Sequence, residues 1–175
     1  MSFGQGYSVT AMQATSIFAT IANDGVRVEP TVIAGTLDAQ GHYTPAKTRK
    51  STRVISAETA QTMRLMMESV VSANGTAPSA AIPGYRIAGK TGTAQRSVNG
   101  RYSGYTASFI GLPADKPRYV ISVTIQAPQG MHWGGVLGGP VFKEVMSYVL
   151  EAKHIPPTNT KVNPLPLNAS QVTKQ

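Results

Sequence analysis

The 175-residue chain contains no cysteine, which excludes disulfide frameworks, thiolate metal sites and cysteine nucleophiles together. That absence fits an extracytoplasmic bacterial protein. Its three histidines, His42, His132 and His154, lie far apart without ligand spacing, and neither a metal nor another cofactor is expected. No apolar run approaches the ~18 residues that span a bilayer. Met1 leads straight into SFGQGYSVT, so no leader is expected within the chain. Acidic residues are scarce: eight Asp and Glu stand against sixteen Lys and Arg, a net charge of +8. Such an excess suits an anionic partner. Only Lys47, Arg49, Lys50 and Arg53 form a basic knot, and no aromatic residue interleaves with it. The knot reads as a solvated loop, and nucleic acid is not an expected partner.

Hydrophobic residues make up 41% and charged residues 14%, a globular composition in a length that suits one domain. The spacing predicts a helix over residues 10–22, opened by a Thr10/Gln13 capping box and closed by Asn23-Asp24-Gly25. Residues 26–33 read as extended, broken at Pro30, and residues 38–50 as loop. Ser56 caps a second predicted helix, 57–72, whose Ala60, Met63, Met67, Val70 and Val71 recur at core spacing before Asn74-Gly75. A proline-bearing linker, 76–84, follows. Residues 85–95, 105–112 and 118–126 then read as strands, joined by a polar loop around Asn99-Gly100 and by PADKP. Short connections make them antiparallel neighbours. A glycine-rich loop, 130–139, leads to Pro140, the expected first residue of a helix to about residue 152. The fold class is therefore α+β, an antiparallel three-stranded meander packed with helices.

Within the first strand, GYRIAGKT (residues 84–91) satisfies G-x-x-x-x-G-K-[ST], the phosphate-cradling pattern of nucleotide hydrolases. That loop needs a buried strand before it and a helix N-terminus after it. Here AAIP precedes it, and Gly92, Arg96, Asn99 and Gly100 follow, which cannot open a helix. The match is a coincidence of glycines.

With Lys90-Thr91-Gly92-Thr93 on a strand followed by two antiparallel strands, the chain resembles the C-terminal part of a class B penicillin-binding protein transpeptidase domain, of the division-specific kind. The likeness runs through SFGQG, AGKTGTAQ, YTASFIGLPADKPRYVISVTI and GGPVFKEVM. It implies a partial penicillin-binding, serine β-lactamase-like fold over residues 1–155, with residues 156–175 as a Pro-rich irregular tail. It also implies roles: Lys90 supplies positive potential beside a nucleophile, and Thr91 and Thr93 offer hydroxyls to the substrate carboxylate. Gly92 lets a substrate lie along the strand edge. The Thr93 backbone N–H is an oxyanion donor. Gln95 and Gln5 line the cleft, while Gln5 in Gly4-Gln5-Gly6 is equally readable as a turn residue. Strict alternation places Lys90 on the opposite face from Thr91 and Thr93, so the ligand must meet the strand edge-on or the strand must twist.

The family's nucleophile and lysine base sit in S-x-x-K and its relay serine in S-x-N, both ahead of the K-T-G strand. No S-x-x-K occurs in the 175 residues. Ser72-Ala73-Asn74 spells S-x-N but belongs to the approach to the strand, so it reads as a decoy. The expectation is a fragment of a peptidoglycan D,D-transpeptidase that cannot acylate by itself. Its expected partners are D-Ala-D-Ala stem peptides, β-lactams, the N-terminal half of the same domain and division proteins. A membrane-anchored parent on the extracytoplasmic face is implied, and apolar surface left uncovered would favour self-association. A β-lactamase-like hydrolase fragment and a non-catalytic division scaffold are the alternatives. Trp133 is expected as a packed aromatic rather than a cleft-rim residue.

Overall fold

The computed structural model describes residues 8–47 and 49–161. Helix α1, Ala11–Ala22, begins where Thr10 Oγ1 accepts from the Gln13 amide at 3.1 Å and Gln13 Oε1 accepts from the Thr10 amide at 2.9 Å. This is the reciprocal capping box that the sequence predicts. The chain then reverses through Asp24 and Gly25, both at positive φ. A Cβ on Gly25 would come within 2.2 Å of the Ile55 carbonyl oxygen, so only glycine fits.

The next thirty residues hold more order than their loop-like composition suggests. Strand β1, Val26–Val28, pairs with β4, Ser51–Arg53, and between them β2, Gly35–Leu37, pairs with β3, Tyr43–Pro45. Extended structure therefore stops at Val28 rather than reaching residue 33, and the expected 38–50 loop contains half a hairpin. Three-residue ribbons carry too little periodicity to be read from sequence. Arg53, from the basic knot, donates to the Asp24 and Ile55 carbonyls at 2.9 and 3.1 Å, and Arg49 to Thr31 Oγ1 at 2.6 Å.

Helix α2, Ala57–Glu68, is capped by Ser56 as predicted but ends four residues earlier than the apolar spacing implies. The chain leaves the helix because the Ala77 amide reaches back to the Val70 carbonyl at 2.8 Å. Of its methionines only Met67 is buried, whereas Met63 and Met66 are exposed, so the stripe is not uniformly core. Residues 76–84 are less a linker than a core element: a 3-10 turn, Pro78–Ala80, and buried Ala77, Ala80 and Ile82.

The central sheet is the expected meander, β5 Ile87–Val98, β6 Arg101–Pro113 and β7 Ile121–Gln126, in the order β5-β6-β7. The predicted loop between the first two shrinks to the Asn99-Gly100 turn, both residues at positive φ. Helix α3, Gly134–Ala152, covers one face, and α1 with α2 the other. Alternation along β5 feeds both cores: Ile87 joins Phe109, Phe142, Met146 and Leu150, and Ala88 joins Leu112, Ile21 and Met67. Phe109 and Phe142 meet edge-to-face at 5.0 Å.

Pro140 does not open α3, as the sequence reading has it, but lies inside the helix. Four glycines, Gly134, Gly135, Gly138 and Gly139, are helical and buried. Their low intrinsic propensity is overridden by packing that only they permit. No helix among the described residues is long and apolar enough to cross a membrane.

Two ion pairs lock the α1–α2 layer. Arg64 donates to the Ile21 carbonyl at 2.8 Å, at the negative end of α1, and to Asp24 at 3.0 Å. Glu68, 2% exposed, receives Arg86 in a two-pronged contact of 2.5 and 3.1 Å. That contact raises the arginine pKa and ties α2 to the entry of β5. Beyond these pairs, Val9, Met12, Ile17, Val54 and Met63 leave an apolar groove of about 520 Å³.

Glu68→Ala strands Arg86 beside the core, and removing one partner of a buried pair costs about 3–5 kcal/mol. A urea midpoint unchanged from that of the parent chain would remove this pair from the list of structural supports.

Candidate active site

Strand β5 lies at the edge of its sheet, and register decides what it presents there. The Ala114 amide donates to the Arg86 carbonyl at 2.8 Å, so Arg86 and alternate residues after it direct their backbone polar groups at β6. Thr91 and Thr93 fall on the other set, and their N–H and C=O groups face the open edge. Side chains alternate between faces as well. Thr91 and Thr93 sit with Phe109 and Ala107 on the α3 side, while Lys90, opposite Ile110, starts on the α1–α2 side. The lysine reaches round the edge, where Nζ donates to the Thr91 carbonyl at 2.7 Å. The strand thus meets the cleft edge-on, and no local twist is needed to bring Lys90 to the hydroxyls.

The N-terminus of α3 closes the cleft from the opposite side. A Cβ on Gly134 would lie 2.3 Å from the carbonyl oxygens of Gly92 and Ser108, and one on Gly135 would lie 1.9 Å from that of Thr76. The helix therefore rests on the sheet backbone to backbone. The Gly134 amide, in the first turn that a helix cannot satisfy itself, donates to Thr93 Oγ1 at 3.2 Å. A hydroxyl that accepts there keeps its own O–H to donate. Thr91 Oγ1 lies 3.2 Å from Thr76 Oγ1 in a similar pairing.

The resulting cleft, about 720 Å³, is lined by Lys90, Thr91, Thr93 and Gln95 from β5, and among the described residues no acidic side chain lines it. Lysine charge, two hydroxyls and a helix N-terminus converge on a space suited to a carboxylate or a developing oxyanion. Desolvation pulls the Lys90 pKa below the ordinary 10.5.

An aromatic wall completes the site, and most of it was not read from the sequence. His132 stacks on Tyr105 with centroids 4.0 Å apart, and Trp133 stands 4.9 Å from His132. Trp133 is 56% exposed and lines the cleft, which corrects its reading as a packed aromatic. Its position follows from the early start of α3, for which it is the N-cap residue. Alternation gave a signal for Tyr105, which shares the face of Thr93 through its pairing with Gln95. Ser72 lies in the turn after α2, its hydroxyl donating to the Ser69 carbonyl at 2.7 Å, away from the cleft lining. Gln5 lies outside the described residues. No metal-binding group of acidic, histidine or cysteine side chains occurs among the described residues.

A family model described as penicillin binding protein transpeptidase domain matches residues 1–147. The chain is 42% identical to a penicillin-binding protein PbpB of Mycolicibacterium smegmatis, over 97% of this chain and 28% of that protein. It is 38% identical to a probable peptidoglycan D,D-transpeptidase PenA of Neisseria flavescens, over 93% of this chain and 39% of that protein. Among solved structures, penicillin binding protein 3 of Mycobacterium tuberculosis complexed with ampicillin superposes with a TM-score of 0.85 at 37% identity, covering 94% of this chain and 39% of that one. The chain thus spans well under half the length of the relatives it matches.

Gly134→Ala must lift α3 from β5, an overpacking that costs about 1–3 kcal/mol. Val136→Ala, at an exposed neighbouring position, should stay within about 0.5 kcal/mol. Equal urea midpoints for the two variants would show that the helix does not depend on backbone contact.

Proposed function

The chain belongs to the penicillin-binding protein transpeptidase family, and from that premise we propose that its cleft is the carboxylate- and oxyanion-binding side of a peptidoglycan D,D-transpeptidase site. The observation that carries the reading is the convergence of Lys90, the Thr91 and Thr93 hydroxyls and the open edge of β5 on one space without acidic lining. In this reading a stem peptide ending in D-Ala-D-Ala lies along β5 as an added strand. The expected role of Gly92 is corrected: a Cβ there would come within 2.5 Å of Ser108 Oγ on β6, so the glycine makes room for that side chain. The terminal carboxylate of the peptide meets the two threonine hydroxyls under the field of Lys90. The Thr93 N–H, on the open edge, donates to the carbonyl oxygen as charge develops there. A serine attacks that carbonyl, forms an ester and expels D-alanine, and an acceptor amine then takes the acyl group. β-Lactams enter the same way through their ring carboxylate. Gln95 on β5 and Gln5 from the opening segment serve as further substrate contacts.

In this reading the serine belongs to another segment: S-x-x-K is absent from these 175 residues, and Ser72, whose hydroxyl donates to the Ser69 carbonyl, does not line the cleft. The apolar groove over α1 and α2 fits coverage by that N-terminal half; left bare, it favours self-association. The whole enzyme is a division-type, class B protein, anchored to the membrane and working on its extracytoplasmic face with division partners.

Fluorescent penicillin should label a longer protein carrying this segment covalently, with little turnover, and should leave this chain alone unlabelled. A folded longer protein without adduct would sink the transpeptidase reading, and rapid penicillin hydrolysis would favour a β-lactamase-like enzyme.

The lowered Lys90 pKa sets a second test. The charged form, which holds the carboxylate, is lost as pH rises through a value below the ordinary 10.5. Acylation should therefore fall on the alkaline side. Lys90→Met should be slow throughout and lack that limb, and a variant that kept it would assign the titration elsewhere.

A further inference from the structure

Residues 155–161 follow α3 without forming helix or strand, yet they are held along their length. Ile155 packs against the α3-side core, and the Tyr85 hydroxyl donates to its carbonyl at 2.6 Å. Pro157 sits so close to Gly84 that a Cβ there would approach it to 2.8 Å, and Gly84 has φ +79. The Asn159 amide donates to the Gly84 carbonyl at 3.1 Å. The hydroxyls of Thr158 and Thr160 both donate to Asp115 Oδ2, in the turn between β6 and β7. Asp115 in turn lies within electrostatic reach of Arg86, the partner of Glu68. Burial alone would raise the Asp115 pKa, but the donors from Thr158, Thr160 and nearby amides outweigh it and keep the carboxylate ionised. The family match ends at residue 147, before this segment begins.

The other end of α3 is the wall of the cleft. A helix of 19 residues is about 28 Å long, so a small rotation at one end becomes a displacement at the other. Between its ends the helix packs on the sheet through Gly138, Phe142 and Met146. Hydrogen bonds tie each end to β5 and its entry: Gly134 on Thr93 at the cleft, and the 155–161 segment on Gly84 and Tyr85. We propose that residues 155–161 are a strap that sets the width of the cleft from its far end, with Asp115 as the catch. Asp115 is then a positioning residue that never touches substrate. The consequence for catalysis rests on the transpeptidase reading, but the coupling of strap to cleft does not.

Trp133 is the single tryptophan of the chain and stands on the cleft rim at the start of α3. Its fluorescence in the full chain therefore reports the cleft alone. Thr158→Val with Thr160→Val removes both hydroxyls at nearly constant size, and the corresponding Ser pair restores them. Below the thermal transition, the Val pair should shift Trp133 emission to longer wavelength and increase its quenching by acrylamide, and the Ser pair should return both to the parent values. A Val pair that melts earlier but leaves Trp133 emission and quenching unchanged would overturn the proposal and make the strap a purely structural tail. Should the Val pair not fold, Asp115→Ala, which removes the acceptor of both hydroxyls, carries the same comparison. In a longer protein carrying this segment the Val pair should acylate with penicillin more slowly at saturating ligand than its parent. Absence of labelling in that parent, with the strap intact, would refute the transpeptidase reading, while the Trp133 comparison would still decide the strap.

Discussion

At its first turn helix α3 meets the sheet backbone to backbone, because Gly134 and Gly135 carry no side chain, and the candidate site is built on that contact. Gly134 and Gly135 place helical backbone against the carbonyls of Gly92, Ser108 and Thr76. At that separation the first helical amide reaches Thr93 Oγ1, and the hydroxyl proton is left pointing away from the helix. A methyl group at either position would part the layers, and the amide, the hydroxyl and the strand edge would no longer face one space. Glycines that look like a loop in the sequence are thus the most constrained part of the site.

Electrostatics follow from the same contact. The basic excess of the chain is spread over its surface, but at the cleft a lysine and a helix N-terminus act without a neighbouring carboxylate. The buried carboxylate of Glu68 is spent on Arg86, behind the strand rather than beside the cleft. Partial burial strengthens the field of Lys90 on a bound anion and at the same time eases its loss of a proton.

Legibility in the sequence depended on whether a signal was local. The Thr10/Gln13 box, the Ser56 cap, the three long strands and the Lys90–Thr93 motif rest on neighbours a few residues apart, and each stands where it was expected. The start of α3 was missed because glycine propensity is a local quantity, while the packing that overrides it comes from β5 and β6. That one error hid Trp133 and His132 from the cleft. The β1–β4 ribbon was missed for the same reason, since Arg27 pairs with Thr52, about 25 residues away, whereas the early end of α2 and the β2–β3 ribbon rest on short-range turns too brief to carry a periodic signal.

The two edges of the sheet make the division of labour visible. An unpaired strand edge invites any extended chain, and natural sheets guard such edges with charge, lysine above all. On β5 the guard is Lys90, whose ammonium donates to the Thr91 carbonyl on the open edge. The same side chain that blocks casual pairing is the one that would attract a peptide ending in a carboxylate, so protection and selectivity come from a single residue. The outer edge of β7, ISVTIQ, carries no charge, and no strand pairs with it among the described residues. There Ser122 keeps a buried hydroxyl without a hydrogen-bond partner. A guarded edge suits a transient ligand and an unguarded one suits a permanent strand, so the two edges of this sheet differ in the kind of pairing they favour.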